Sequence, residues 1–254
     1  MAKIIALSNQ KGGVGKTTTA VNLAASLAHL GQETLLIDFD PQANSTSGLG
    51  VNKNLVQKHI YHALIQEVSL ESILLSTPLD WLDLAPSHID LIGAEVELVT
   101  MPERELILKK ALEKFQKVYK YIFIDCPPSL GILTLNALAA ADSVIIPIQC
   151  EYYALEGLAQ LLKSIDLIRK SVNKTLALEG VVLTMYDSRI NLSQQVFEEI
   201  RKYFGDKVYS SVIPRTVRLA EAPGFGKPIL LYDPLSRGTE AYLNLAREFL
   251  SKQK

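Results

Sequence analysis

Ile4-Ile5-Ala6-Leu7-Ser8 runs directly into Asn9-Gln10-Lys11-Gly12-Gly13-Val14-Gly15-Lys16-Thr17-Thr18, and this junction decides the fold. The unalternated apolar run reads as a strand buried on both faces. Residues 17–30, with Ala20, Leu23, Ala24 and Leu27 at helical spacing, read as a helix closed by Gly31. Between strand and helix lies a turn rich in glycine. Glycine reaches backbone conformations closed to residues with a Cβ, so successive N–H groups can converge on an anion. The helix N-terminus behind them adds partial positive charge. A turn of this kind cradles the phosphates of a nucleoside triphosphate. Lys16 is placed to reach the β- and γ-phosphates, and the Thr17 hydroxyl to bind Mg²⁺. Gly12, Gly13, Val14, Gly15 and Thr18 complete the expected nucleotide cradle.

The loop departs from the usual G-x-x-x-x-G-K-[ST] pattern, which needs glycine where this chain has Gln10. Lys11 stands where the usual loop has no lysine. It is either a solvated side chain at the loop's start or a phosphate contact, on this chain's nucleotide or on a partner's.

Outward from the loop, apolar runs at 34–39, 121–125, 143–148, 178–185 and 208–213 alternate with helical patterns at 103–116, 130–140, 154–170, 192–204 and 236–250. The stretch 55–97 is less regular and leans toward helix. Near-unalternated strands separated by amphipathic helices predict a three-layer, doubly wound α/β fold with a mostly parallel sheet, that of a P-loop NTPase. Leu155, Leu158, Leu162, Ile165 and Ile168 form a stripe suited to core packing. No linker, charge block or repeat divides the chain, so residues 1–254 are expected to form one domain.

At 48% hydrophobic and 21% charged, the 254 residues can bury a large core. No apolar run reaches membrane-spanning length and the N-terminus turns polar too early for a signal peptide. Two cysteines, Cys126 and Cys150, give no disulfide framework and point to a reduced, cytoplasmic setting. The net charge of −1 exerts no overall pull toward nucleic acid. Residues 1–186 hold 15 Lys/Arg against 19 Asp/Glu, whereas 187–254 hold 11 against 8, so local basic patches are sought in the last quarter.

Phosphoryl transfer needs positioning and charge neutralisation, with carboxylates at the carboxyl ends of strands beside the loop. Leu36-Ile37-Asp38-Phe39-Asp40-Pro41-Gln42 and Phe123-Ile124-Asp125-Cys126-Pro127-Pro128 supply them. Asp125 is expected to hold the magnesium shell with support from Asp38, and Asp40, just past its strand, to orient the attacking water. An aspartate after a strand is often only a turn former, and that reading competes at each position.

These segments, together with Gln149-Cys150-Glu151-Tyr152-Tyr153-Ala154-Leu155-Glu156-Gly157, Leu183-Thr184-Met185-Tyr186-Asp187-Ser188-Arg189, Val212-Ile213-Pro214-Arg215, Leu219-Ala220-Glu221-Ala222-Pro223 and Gly226-Lys227-Pro228-Ile229, resemble the ParA/MinD family of deviant P-loop ATPases. The likeness is to the chromosomal ParA (Soj) branch and spans essentially the whole chain. It implies ATP hydrolysis with ATP and Mg²⁺ bound, and an ATP-dependent homodimer in which Lys11 joins Lys16 and Asp40 in catalysis by reaching the other subunit's nucleotide. It also implies adenine contacts near Met185 and Pro214, and binding of double-stranded DNA without sequence preference. A ParB-type partner would stimulate hydrolysis and release the DNA, in chromosome or plasmid partition on the nucleoid. Arg189 and Arg218 match positions that the family uses for DNA, with Lys227 and Lys252 as further candidates. Non-specific binding requires only cations against phosphates.

Three other readings compete. A MinD-like, membrane-associated ATPase would end in a basic amphipathic helix, whereas residues 242–254 read as a packed helix with a polar tail, so no membrane partner is expected. An iron–sulfur reductase would need available thiolates. A biosynthetic synthetase would need a dedicated small-molecule motif. His29, His59, His62 and His88 show no metal-ligand constellation, and His59 and His62, three apart with no Cys or carboxylate partner nearby, are expected at the surface. Trp81 is expected in the core.

Overall fold

The computed structural model describes residues 2–65, 68–151 and 154–253, with 154–161 described by backbone alone. Tyr152, Tyr153 and the side chains of Leu155 and Leu158 therefore lie outside the described residues. The strands are β1 (Lys3–Leu7), β2 (Thr34–Asp38), β3 (Leu75–Ser76), β4 (Leu82–Ala85), β5 (Tyr121–Asp125), β6 (Ser143–Gln149) and β7 (Ala177–Thr184). They form one sheet in the order β3-β4-β2-β5-β1-β6-β7, parallel except for β3 on β4.

Period-two alternation of apolar strand residues builds a core on each face of the sheet. Ile5, Leu7, Leu36, Phe123, Ile145 and Val182 point to one side, where they meet α1 (Lys16–His29) and α11 (Arg237–Ser251). Ala6, Ile37, Ile124, Ile146, Val181 and Leu183 point to the other. There they are covered from the stretch holding α3 (Ile60–Ile65), α4 (Leu91–Glu97), α5 (Ile107–Glu113), α6 (Ile132–Ala140), α7 (Ala154–Ser171) and α8 (Asn191–Phe204). Short helices α2 (Asn44–Gly48), α9 (Val217–Glu221) and α10 (Ile229–Tyr232) edge the carboxyl ends of the strands. The expected three-layer, doubly wound architecture is therefore the observed one.

Local differences from the sequence expectations have identifiable causes. The stretch 55–97 contains a full sheet strand, β4, paired with β2 along Thr34–Ile37. Its four residues include Asp83, whose charge breaks the apolar run but is met by the Lys117 ammonium and the Tyr119 hydroxyl. Trp81 is not core. It is 56% exposed, in the left-handed region at φ 69° on the turn into β4. Residues 208–213 contribute a single isolated bridge to β7, Val208 beside Val181. Tyr209 and Ile213 donate to Val181 and Leu183, but the amides of Ser210 and Ser211 are taken by the Glu248 carboxylate, which interrupts the ladder. The helix expected over 103–116 shortens to α5, because Glu103 is left-handed at φ 51° and cannot start it.

Candidate nucleotide and metal sites

β1, β2 and β5 deliver their ends to one place. The register aligns Leu7 with Asp125 and Asp38 with Asp125. The phosphate loop thus leaves the sheet beside two carboxylates on strands about 4.8 Å apart. Gly13 and Gly15 sit in the left-handed region at φ 74° and 85°, where a side chain is strained, and Gly15 caps α1. The loop is pinned from both flanks. The Asn9 side chain accepts from the Lys11 amide and donates to the Pro147 carbonyl, and the Thr184 hydroxyl donates to the Val14 carbonyl.

The two lysines of the loop part company. Lys16 is buried, its ammonium folded back onto the Lys11 carbonyl at 3.0 Å. Burial lowers its pKa, while Asp125, Cys126 and Asp40 partly offset that. Lys11 is 41% exposed and forms an ion pair of 2.7 Å with Glu151.

Asp38 and Asp125 are fully buried. The Asp38 carboxylate accepts from the amide and hydroxyl of Thr46, and Asp125 Oδ2 accepts from the Ser45 hydroxyl, all within 2.8 Å. Burial pushes both carboxyls well above the usual carboxylate range, and for Asp38 the charge of Asp125 adds to it. Asp125 Oδ1 is buried with no hydrogen-bond partner. An orphaned carboxylate oxygen beside a second carboxylate and the Thr17 hydroxyl is the donor chemistry of a hard divalent cation, so these residues fit Mg²⁺. Asp40 is buried, and its Oδ1 accepts from the Gln42 amide, so one carboxylate oxygen shapes the turn. Ala43, three residues on, is held at φ 54°, a strained conformation for a residue with a Cβ.

A cleft of about 630 Å³ opens beside the loop, lined by Gly15, Thr18, Thr184, Met185, Pro214 and Tyr242 among others. Met185 adopts φ 51°. Its size and apolar lining suit a nucleobase. Sequence reasoning placed Met185 and Pro214 here but missed Thr184, Asn9, Ser45 and Thr46. Their signal was adjacency to the strand ends.

The four candidate DNA-binding cations differ in setting. Arg189 forks onto Asp187 with bonds of 2.9 and 2.7 Å, and this holds the Asp187 carboxyl down at about 2. Arg218 pairs with Glu221 and Asp233. Lys252 donates to the Asp206 carbonyl and sits 4.3 Å over the Tyr209 ring. Lys227 is exposed and makes no ion pair among the described residues. Its segment abuts the turn after α2 backbone to backbone: a Cβ on Gly226 would lie 2.6 Å from the Gly50 Cα.

The histidines correct the sequence expectation. His59 is 2% exposed, not superficial, because α3 and the turn after β4 bring His62, His88 and Asp90 around it. Burial, with His62 and His88 close by, lowers the His59 imidazole to about 4 and keeps it neutral. Asp90 is the carboxylate that sequence spacing could not supply. Cys126 and Cys150 are buried and burial pushes both thiols up, so both stay protonated. No described helix is long and apolar enough to cross a membrane, and Tyr242, Leu245, Ala246 and Phe249 of α11 are buried in the core.

An AAA-domain family model matches residues 2–178. The chain is 59% identical over 248 residues to the sporulation initiation inhibitor protein Soj of Bacillus subtilis, covering 98% of each. It is 55% identical to the chromosome partitioning protein ParA of Myxococcus xanthus, covering 99% of this chain and 89% of that one. Among solved structures, a cobyrinic acid a,c-diamide synthase from Mycobacterium smegmatis with bound ADP and magnesium superposes with a TM-score of 0.87. That match is at 36% identity and covers 100% of this chain and 96% of that one.

Proposed function

This chain belongs to the ParA/Soj family of partition ATPases, and on that premise we propose that it hydrolyses ATP to time its residence on DNA. In this reading, residues 1–254 act as one unit that binds MgATP, pairs with a second copy and holds double-stranded DNA without sequence preference. A ParB-type partner then triggers hydrolysis and release, in the cytoplasm and on the nucleoid. The observation that carries the reading is the divergence of two lysines five residues apart: Lys16 buried toward Asp125, Lys11 facing solvent against Glu151.

The chemistry follows from the site. Lys16 and the loop amides balance charge on the β- and γ-phosphates, and Asp40 orients the attacking water. Thr17, Asp38 and Asp125 would hold Mg²⁺, which supplies charge neutralisation between the phosphates. Lys11, released from Glu151, reaches a nucleotide on the second copy, so assembly completes the site. Met185 and Pro214 flank the base. Arg189, Arg218, Lys227 and Lys252 supply phosphate contacts, and pairing two copies doubles that set without altering either one. The likeness to a diamide synthase supports the nucleotide fold; the much higher identity to Soj and ParA favours partition over biosynthesis.

The test is DNA binding across a salt series with ATP, ADP or no nucleotide. Binding is expected only with ATP and in dimeric protein. Equal binding in all three conditions overturns the reading.

A further inference from the structure

Three of the chain's four histidines gather on the face away from α1, in a cluster that the ATPase reading does not use. His59 immediately precedes α3, while His88 and Asp90 lie between β4 and α4. The His59 ring is almost wholly enclosed, yet Nδ1 has no partner and Nε2 stands 3.6 Å from Asp90 Oδ2, too far for a hydrogen bond. Neither ring nitrogen of this enclosed imidazole is hydrogen-bonded among the described residues, and Nε2 is the one that faces Asp90.

We propose that His59, His88 and Asp90 form a binding site for a divalent transition-metal cation such as Zn²⁺ or Co²⁺. The nitrogen and oxygen donors of the three residues lie within 4.8 Å of one another. A tetrahedral ion with ligands about 2.0–2.1 Å away sets its donor atoms roughly 3.3 Å apart. The spacing from Asp90 Oδ2 brackets that edge, at 3.0 Å to His88 Nδ1 and 3.6 Å to His59 Nε2. Two imidazoles and one carboxylate select such ions over Mg²⁺ and Ca²⁺, which take oxygen donors. The third pair, His59 with His88, lies within 4.8 Å and closes onto the ion, and a water completes the fourth position.

The surroundings suit the task. His62 packs edge-on against His59 with ring centres 4.2 Å apart and accepts from the His59 amide, which fixes the entry to α3. The Asp90 amide donates to His88 Nδ1 across 3.3 Å, a long bond that ligation would replace. Asp90 is 56% exposed at its side chain and His88 24%, so an ion can enter from solvent while His59 closes the inner side. The site shares no residue with the magnesium cluster. Ser87, next to His88, links the two by donating from its amide to the Thr46 hydroxyl that holds Asp38.

The experiment titrates the full-length chain, stripped with chelator and kept in excess Mg²⁺ without nucleotide, with Zn²⁺ or Co²⁺ alone. Expected is one equivalent bound, with the imidazole ¹⁵N resonances of His59 and His88 shifting and those of His29 unmoved. His88→Ala and Asp90→Asn, both at the solvent side, should each weaken binding at least about tenfold, while His29→Ala should not. Unchanged ADP binding and melting temperature in the variants show that folding is intact. The proposal is overturned if wild type retains no ion at micromolar concentration, or if His88→Ala and Asp90→Asn bind as wild type does.

Discussion

The phosphate end of β1, β2 and β5 and the polar surface from Asp187 to Lys227 treat charge in opposite ways. At the first, Lys16, Asp38 and Asp125 are buried, short of solvent, and either hydrogen-bonded or left with an orphaned oxygen for a cation to satisfy. At the second, Arg189 and Arg218 are exposed but already neutralised by carboxylates within a few residues or across a turn. Buried charge is expensive and so is committed to one task, whereas exposed charge is cheap and exchangeable. A site of the first kind is all or none; one of the second kind is graded by salt and by its neighbours.

The sharpest attempt to break this contrast is Lys16→Ala. It removes the buried cation that faces the Asp125 and Asp40 carboxylates, and kcat for ATP hydrolysis should fall by roughly 10²–10³-fold in a steady-state phosphate-release assay. A loss under tenfold would mean that the phosphate end is as tolerant as the surface. Asp40→Ala should lower hydrolysis by about 10²-fold while ATP-dependent DNA binding stays or strengthens, measured on one preparation. If DNA binding disappears with hydrolysis, the two regions are not separable. Gly226→Ala tests the seam between them. The added methyl meets the Gly50 Cα at φ 62°, and stability should drop by about 1–3 kcal/mol, read as a lower melting temperature. The smallest effects belong to the surface. Lys227→Ala removes one contact from each copy and should flatten the log–log salt slope of DNA binding by about 1.8 per dimer. Asp187→Ala frees the Arg189 fork, so affinity should rise a few-fold at low salt, and an unchanged slope would remove Arg189 from the DNA contacts.

The fold and the phosphate site were legible because their determinants are short-range. Glycines, Lys16 and Thr17 lie in one eight-residue loop, and the aspartates sit at the ends of two apolar runs, Asp38 and Asp40 on one and Asp125 on the other. What escaped depends on distant partners. β4 hid because Asp83 looks like a strand breaker until Lys117 and Tyr119 are beside it. Residues 208–213 look like a strand until Glu248, on the last helix, takes two of their amides. His59 looks superficial until Asp90 and His88, some thirty residues away, close over it. The ion pair of Arg189 is the inverse case: its partner, Asp187, is only two residues away, inside the same short segment.

The approach of Gly50 to Gly226 sets how motion can pass through the molecule. Side chains between two loops act as compliant pads, since a rotamer change absorbs a displacement of an ångström or so. Here main chain abuts main chain with nothing to compress. Any displacement of the 40–50 segment would therefore be met at once by the segment carrying Lys227, as one rigid link pushes another.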